Sequence, residues 1–227
     1  MAKKLRPGLI DPHDIPQEDI QDYVATTYAG YLREVQNRLW EVNRPLFGSG
    51  EFTVDFYREV LSLQLRICIE LLCFAVADFD QVTGGLIGRS KRAKIDIDPI
   101  LKKRKNKEVW PSAVDPNWQG QMGDQGQTTV PQVVIPDFTN AKEISALKGR
   151  LDDLVHGQRR PRPIDEGRLS INEVLQIGER LKHFADRQVI VDHSGQGWFV
   201  DSRPEYRRPT DMQSQVRVVR IASLTES

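Results

Sequence analysis

One short stretch holds two side chains suited to acid–base chemistry on an oxyanion. In Leu147-Lys148-Gly149-Arg150-Leu151-Asp152-Asp153-Leu154-Val155-His156-Gly157, Arg150 and His156 lie six residues apart. An imidazole accepts and returns protons near neutral pH. A guanidinium is a fixed positive charge that meets oxyanions in bidentate fashion. The same spacing recurs at Arg187 and His193, in a segment that reads as β. A plainer role for His156 is that of a helix-end residue favoured by the helix dipole.

Arg66 and Glu70 are four apart in Leu63-Gln64-Leu65-Arg66-Ile67-Cys68-Ile69-Glu70. They pair on one helix face, either as a polar lining for a cleft or as an ion pair that sets helix register. If the pair is fully buried, removing one partner costs on the order of 3–5 kcal/mol. Between Arg89 and Lys107 there are nine basic residues against Asp96 and Asp98. The densest part, Lys102-Lys103-Arg104-Lys105, is suited to holding phosphates, and Trp110 and Trp118 come after it as stacking groups for unpaired bases. A solvated charge run is the alternative, neutralised within the fold by Asp11, Asp14, Glu18, Asp19 and Asp22. Asp11, His13 and Asp14 are metal-capable types in a proline-rich arm with no further cluster to complete coordination, so neither metal nor cofactor is expected. Phosphate-loop, dinucleotide, serine-hydrolase and zinc-protease motifs do not occur in the sequence.

The Arg150…Leu-Val-His156-Gly string resembles the Arg-x(4–6)-His signature of the HEPN superfamily, over about a dozen residues and the helical bundle before them. The residue after the arginine is often polar in that family and is Leu151 here. The resemblance implies a small helical bundle acting as a metal-independent ribonuclease in toxin–antitoxin or antiviral systems, as a homodimer. It also implies that Arg150 stabilises the phosphorane and that His156 acts as general base or acid. The Gln64-x-Arg66-x-x-x-Glu70 string resembles the central helix of uncharacterised bacterial proteins.

Periodicity gives the elements that must position these residues. Pro7, Pro12 and Pro16 mark residues 1–16 as a flexible arm. From Gln17 to Arg44, Ile20, Tyr23, Val24, Tyr28, Tyr31, Leu32, Val35, Leu39 and Val42 form one helical stripe, ended by Pro45 and Gly48-Ser49-Gly50. From Thr53 to Asp80 a second helix confines its polar residues to a narrow stripe of Asp55, Glu59, Ser62, Arg66 and Glu70. A helix so apolar is central, packed on several sides, with Leu65, Ile69, Leu72 and Phe74 buried. Residues 111–138 are a polar Pro/Gly/Gln-rich insert without period. Asn140 with Glu143, and Ser170 with Glu173, read as capping boxes opening two further helices. Val189-Ile190-Val191 and Trp198-Phe199-Val200 flank a glycine turn as a β-hairpin, and Gln215 to Ala222 supplies a third strand.

The predicted fold class is therefore α+β, mostly α. A helical domain of four or five helices over 17–186 precedes a small C-terminal antiparallel β appendage over 187–227. The 227 residues suffice for a substantial core, and 32 basic against 32 acidic residues leave no bulk charge for holding nucleic acid or membrane. The longest uncharged apolar run, Leu71 to Ala77, is shorter than a membrane span, and no apolar segment comes after Met1-Ala2-Lys3-Lys4. With Cys68 and Cys73 five apart on one helix, a disulfide is not expected and a cytoplasmic setting is. Two functions fit: an RNA-acting HEPN-like protein, or a non-catalytic helical adaptor docking a partner protein or nucleic acid.

Overall fold

The computed structural model describes residues 17–43, 54–83, 111–114, 121–122, 128–129, 141–156, 169–192, 196–203 and 217–221. The 1–16 arm, the 89–107 basic run and most of the 111–138 insert lie outside the described residues.

The first helical stripe is realised in three pieces: α1 (Gln17–Tyr23), a single π-helical turn (Val24–Tyr28) and α2 (Ala29–Asn43). The backbone N–H of Ala29 reaches the carbonyl of Val24, five residues back, which inserts one extra residue into the helix. Thr26 Oγ1 donates to the Asp22 carbonyl at 2.6 Å, a side-chain bond that competes for a helix carbonyl at this point. The turn aims the fully buried Tyr28 at two elements: its ring stands edge-on to Phe79 at 5.9 Å, and its hydroxyl donates to Gln188 Oε1 at 2.6 Å. A 3.6-residue period carries no mark of this insertion, which is why the sequence reads as one helix.

The second stripe forms α3 (Val54–Val82), 29 residues long. It runs antiparallel to α2: Tyr31 donates to Asp78 Oδ2 at 2.6 Å and Arg38 to Gln64 Oε1 at 3.0 Å, so one number rises as the other falls. α4 (Ala141–His156) and α5 (Ile171–Asp186) close two more sides. On α3, Leu61, Leu65, Ile69 and Leu72 are buried, and Gly178 of α5 packs over Leu65, where an added methyl group would make an ordinary contact at 3.5 Å. Phe74, expected inside, is only partly buried: it lies on the side of α3 between α2 and α4. By length and composition alone α3 is apolar enough to cross a bilayer, yet 56% of that window is buried inside the molecule.

α5 begins with the expected capping box: Ser170 Oγ accepts from the Glu173 N–H, and Glu173 Oε2 accepts from the Ser170 N–H at 2.7 Å. It passes without a loop into β4 (Arg187–Val191), the residue at the junction being fully extended. The orphaned carbonyls at the helix end are satisfied from a distance, by Ser202 Oγ on Ala185 O at 2.6 Å and Ser202 N on Asp186 O at 2.9 Å.

β4 pairs antiparallel with β5 (Gly197–Asp201), and β5 with β6 (Arg217–Ile221), the third strand expected from the sequence. A fourth strand comes from the insert. β1 (Ser112–Ala113) pairs with β4, giving the order β1-β4-β5-β6, while β2 (Gln121–Met122) and β3 (Thr128–Thr129) pair with each other. Two-residue strands are too short to show any period, so the insert reads as loop. Ile190, Trp198 and Val200 belong to the same core as the helices, and alternation sends the equally buried Phe199 to the opposite face.

Leu72 is 3% exposed amid this core. Leu72→Ala should therefore cost about 2–5 kcal/mol in a denaturant titration. A loss under about 1 kcal/mol would contradict its placement on the enclosed side of α3.

Candidate functional site

The two charged motifs meet at the α3–α4 interface. Arg66 Nε donates to Glu70 Oε1 at 3.2 Å, as i,i+4 spacing on a helix predicts. The same Nε lies 3.0 Å from Asp152 Oδ1, an ion-pair contact without the alignment of a hydrogen bond. Asp152 Oδ2 in turn accepts from Lys148 Nζ at 3.0 Å. The four side chains alternate in sign and are 14–26% exposed, so water screens them in part. Losing one member then costs about 1–3 kcal/mol, below the figure for a fully buried pair. In the sequence, Arg66–Glu70 and Lys148–Asp152 stand as separate pairs. Nothing local announces that they join.

Arg150 stands on the outer side of α4, its side chain 55% exposed, with Nη2 3.1 Å from Glu173 Oε1. Glu173 thus serves two partners, capping α5 with one oxygen and facing Arg150 with the other. The Ser170 backbone N–H, then its hydroxyl, then Arg150 hold the Glu173 carboxyl below its ordinary value. His156 is the last residue of α4, and its side chain lies outside the described residues. At 100° per residue, positions 150 and 156 are about 120° apart around the helix and ~9 Å apart along it. Lys102, Lys103, Arg104 and Lys105 also lie outside the described residues. Arg187, of the second Arg–His spacing, is 5% exposed and 3.9 Å from Asp201 across the strand pair, so it is spent inside the sheet.

A further polar cluster sits where α5 enters the sheet, and no motif points to it. Gln36 Nε2 donates to Asp186 Oδ1 at 3.0 Å and to Ser202 Oγ at 3.2 Å, joining α2 to the sheet. Asp201 accepts from Arg203 through both oxygens, at 2.9 and 2.6 Å. Deeper in the hairpin, the buried Asp192 accepts from Gln196 N and Trp198 Nε1. These bonds satisfy groups that burial would otherwise leave costly.

No convergent nucleophile and base is found among the described residues. Burial pushes the Cys68 thiol up to about 12, and its Sγ faces the Val35 carbonyl at 3.8 Å, so it behaves as an inert core group. Cys68 and Cys73 are both free and buried. No group of three metal-capable side chains is assembled among the described residues. The chain matches no family model, no curated protein and no solved structure.

Burial raises the Asp186 carboxyl, against the Gln36 hydrogen bond and the charges of Lys182, His183 and Arg203. With the folded-state value above the unfolded one, the folded chain holds more protons between the two, and stability falls as pH rises through that window. Asp186→Asn keeps an acceptor for Gln36 and removes the charge. It should raise the melting temperature at neutral pH and leave it unchanged below about pH 3, where the carboxyl is protonated in both states. An equal shift at both pH values would show that charge is not the cause.

Proposed function

We propose that the chain is a HEPN-like protein acting on RNA through the outer side of α4 and the basic run, in a cytoplasmic defence or toxin–antitoxin setting. The observation that carries this reading is the exposed Arg150, already 3.1 Å from a carboxylate oxygen of Glu173. A phosphate oxygen makes the same kind of charge-assisted contact, and Glu173 is surface-exposed and able to yield to it. Arg150 stabilises charge on the phosphorus, His156 exchanges protons with the ribose hydroxyl, and Lys102, Lys103, Arg104 and Lys105 hold the backbone. Two free, buried cysteines are compatible with a reducing compartment. The rival reading, a helical adaptor without catalysis, draws on one specific observation: the side of α3 between α2 and α4 is apolar and partly exposed, with Leu63 at 40%.

Incubating the purified chain with total RNA in EDTA separates the two. Arg150→Ala and His156→Ala should each abolish cleavage while the circular-dichroism spectrum stays unchanged, and the products should end in 2′,3′-cyclic phosphate. Intact RNA after prolonged incubation with the unmodified chain would leave the adaptor reading.

The basic run is tested by binding. Neutralising Lys102, Lys103, Arg104 and Lys105 together should weaken RNA affinity and reduce the slope of log affinity against log salt by about 0.7–0.9 per lost phosphate contact. An unchanged slope would assign the run to solvation.

A further inference from the structure

The polar stripe of α3 is not its solvent side. Ser62 is fully buried with its hydroxyl on the Arg58 carbonyl, and Arg66 faces Asp152 of α4 while also holding Glu70. Apart from Asp55 at its start, α3 leaves mainly apolar side chains to water. Phe56 is 48% exposed and Leu63 40%, with Val60, Ile67 and Phe74 partly exposed on the same side. Positions 56, 60, 63, 67 and 74 repeat in alternating steps of three and four, apart from Glu70 in one slot. This is the a/d seam of a coiled coil and not the wider stripe of a core-facing helix. One edge of the strip is Gln64, held by Arg38 of α2; the other is Arg66, in contact with Asp152 of α4.

We propose that this strip pairs with the same strip of a second copy, antiparallel about a two-fold axis passing close to residues 61–62. An isologous contact must be self-complementary, and this one is. Antiparallel seams stack a against d: Val60 meets Leu63 of the second copy and Phe56 meets its Ile67, each contact made twice. The flanking residues on the α4 edge are Glu59 and Arg66, seven apart and of opposite charge. In this register Glu59 of each copy faces Arg66 of the other, so the flanking pairs attract, and partner choice and orientation are set by such pairs. An arginine fork serves more than one carboxylate, so Glu59 joins the Arg66–Asp152–Lys148 network without displacing a member. In this register the strips pair from Phe56 to Ile67, ~17 Å at 1.5 Å per residue and a single helix crossing, with Phe74 beyond it. That is short of a standard interface, so the association belongs to the weak, concentration-dependent class.

Dimerisation through α3 is independent of any action on RNA. Sedimentation reads the interface and RNA cleavage reads the chemistry, so either fails alone. Sedimentation velocity of the full chain across roughly 1–200 μM should show a monomer–dimer equilibrium in the micromolar range. Leu63→Glu should weaken it at least about tenfold while the melting temperature holds, because the side chain is already partly in water. Glu59→Arg, which sets like charges face to face, should weaken it several-fold. Should Leu63→Glu disturb the fold, conservative variants decide. An equimolar mixture of Val60→Cys and Leu63→Cys chains should form a disulfide-linked dimer faster than either alone, Cys68 and Cys73 being buried. A chain that stays monomeric throughout, a dimer indifferent to both charge variants, or a cysteine mixture that links no faster than its components would overturn the proposal.

Discussion

A 29-residue helix with apolar side chains around most of its circumference has to be enclosed from several directions, and the other elements are arranged by that demand. α2 runs antiparallel along one side, α4 and α5 take two more, and Tyr28, delivered by the π turn, closes on Phe79 near the far end. Because hydrophobic burial is roughly proportional to area and has no direction, it explains why α3 is surrounded. It does not explain in what register. Register comes from directional groups: Arg38 on Gln64 and Tyr31 on Asp78 along α2, Arg66 on Asp152 along α4. Each would lose its partner on sliding one turn, and a polar group stranded in partial burial costs more than its bond returns in place.

The same division explains how the sheet is joined to the helices. Ile190, Trp198 and Val200 put it into the common core, but the joints are polar: Tyr28 to Gln188, Gln188 to the Phe184 carbonyl, Gln36 to Asp186 and Ser202. Ser202 does duty as the missing cap of α5, which lets a helix turn into a strand with no loop between them. The π turn belongs to this set. One inserted residue rotates the helix on either side of it, and here the rotation carries a phenol into the core with its hydroxyl on a β-strand residue 160 positions away.

Charge is allotted in two ways. Most charged side chains near the core are committed to structural contacts, Arg66, Glu70, Lys148 and Asp152 to one another and Arg187 to Asp201. Arg150 differs, since its partner Glu173 is itself at the surface and an exposed pair holds its members only loosely. A cation meant for an incoming anion has to be exchangeable in this sense, while the interior network has to resist exchange.

Much of the architecture is legible in the residues by themselves. The apolar period of α3, the Ser170–Glu173 box and the Val-Ile-Val and Trp-Phe-Val runs are local signals, and each element stands where its signal falls. They are legible because helix period, capping and strand alternation depend on neighbours within a few positions. The candidate site was legible only as parts: Arg66 with Glu70, and Arg150 with His156. That Arg66 meets Asp152, that Glu173 faces Arg150, and that Gln36 ties Asp186 to Ser202 are decisions of the tertiary structure, since each joins groups from different elements. So is the exposed side of α3. Composition reports that a helix is apolar nearly all round, and the polar stripe is the natural guess for its wet face. Which wedge stays open depends instead on where α2 and α4 dock: α2 lies along Gln64 and Asp78, and α4 docked on the polar side, where Arg66 had a partner to meet.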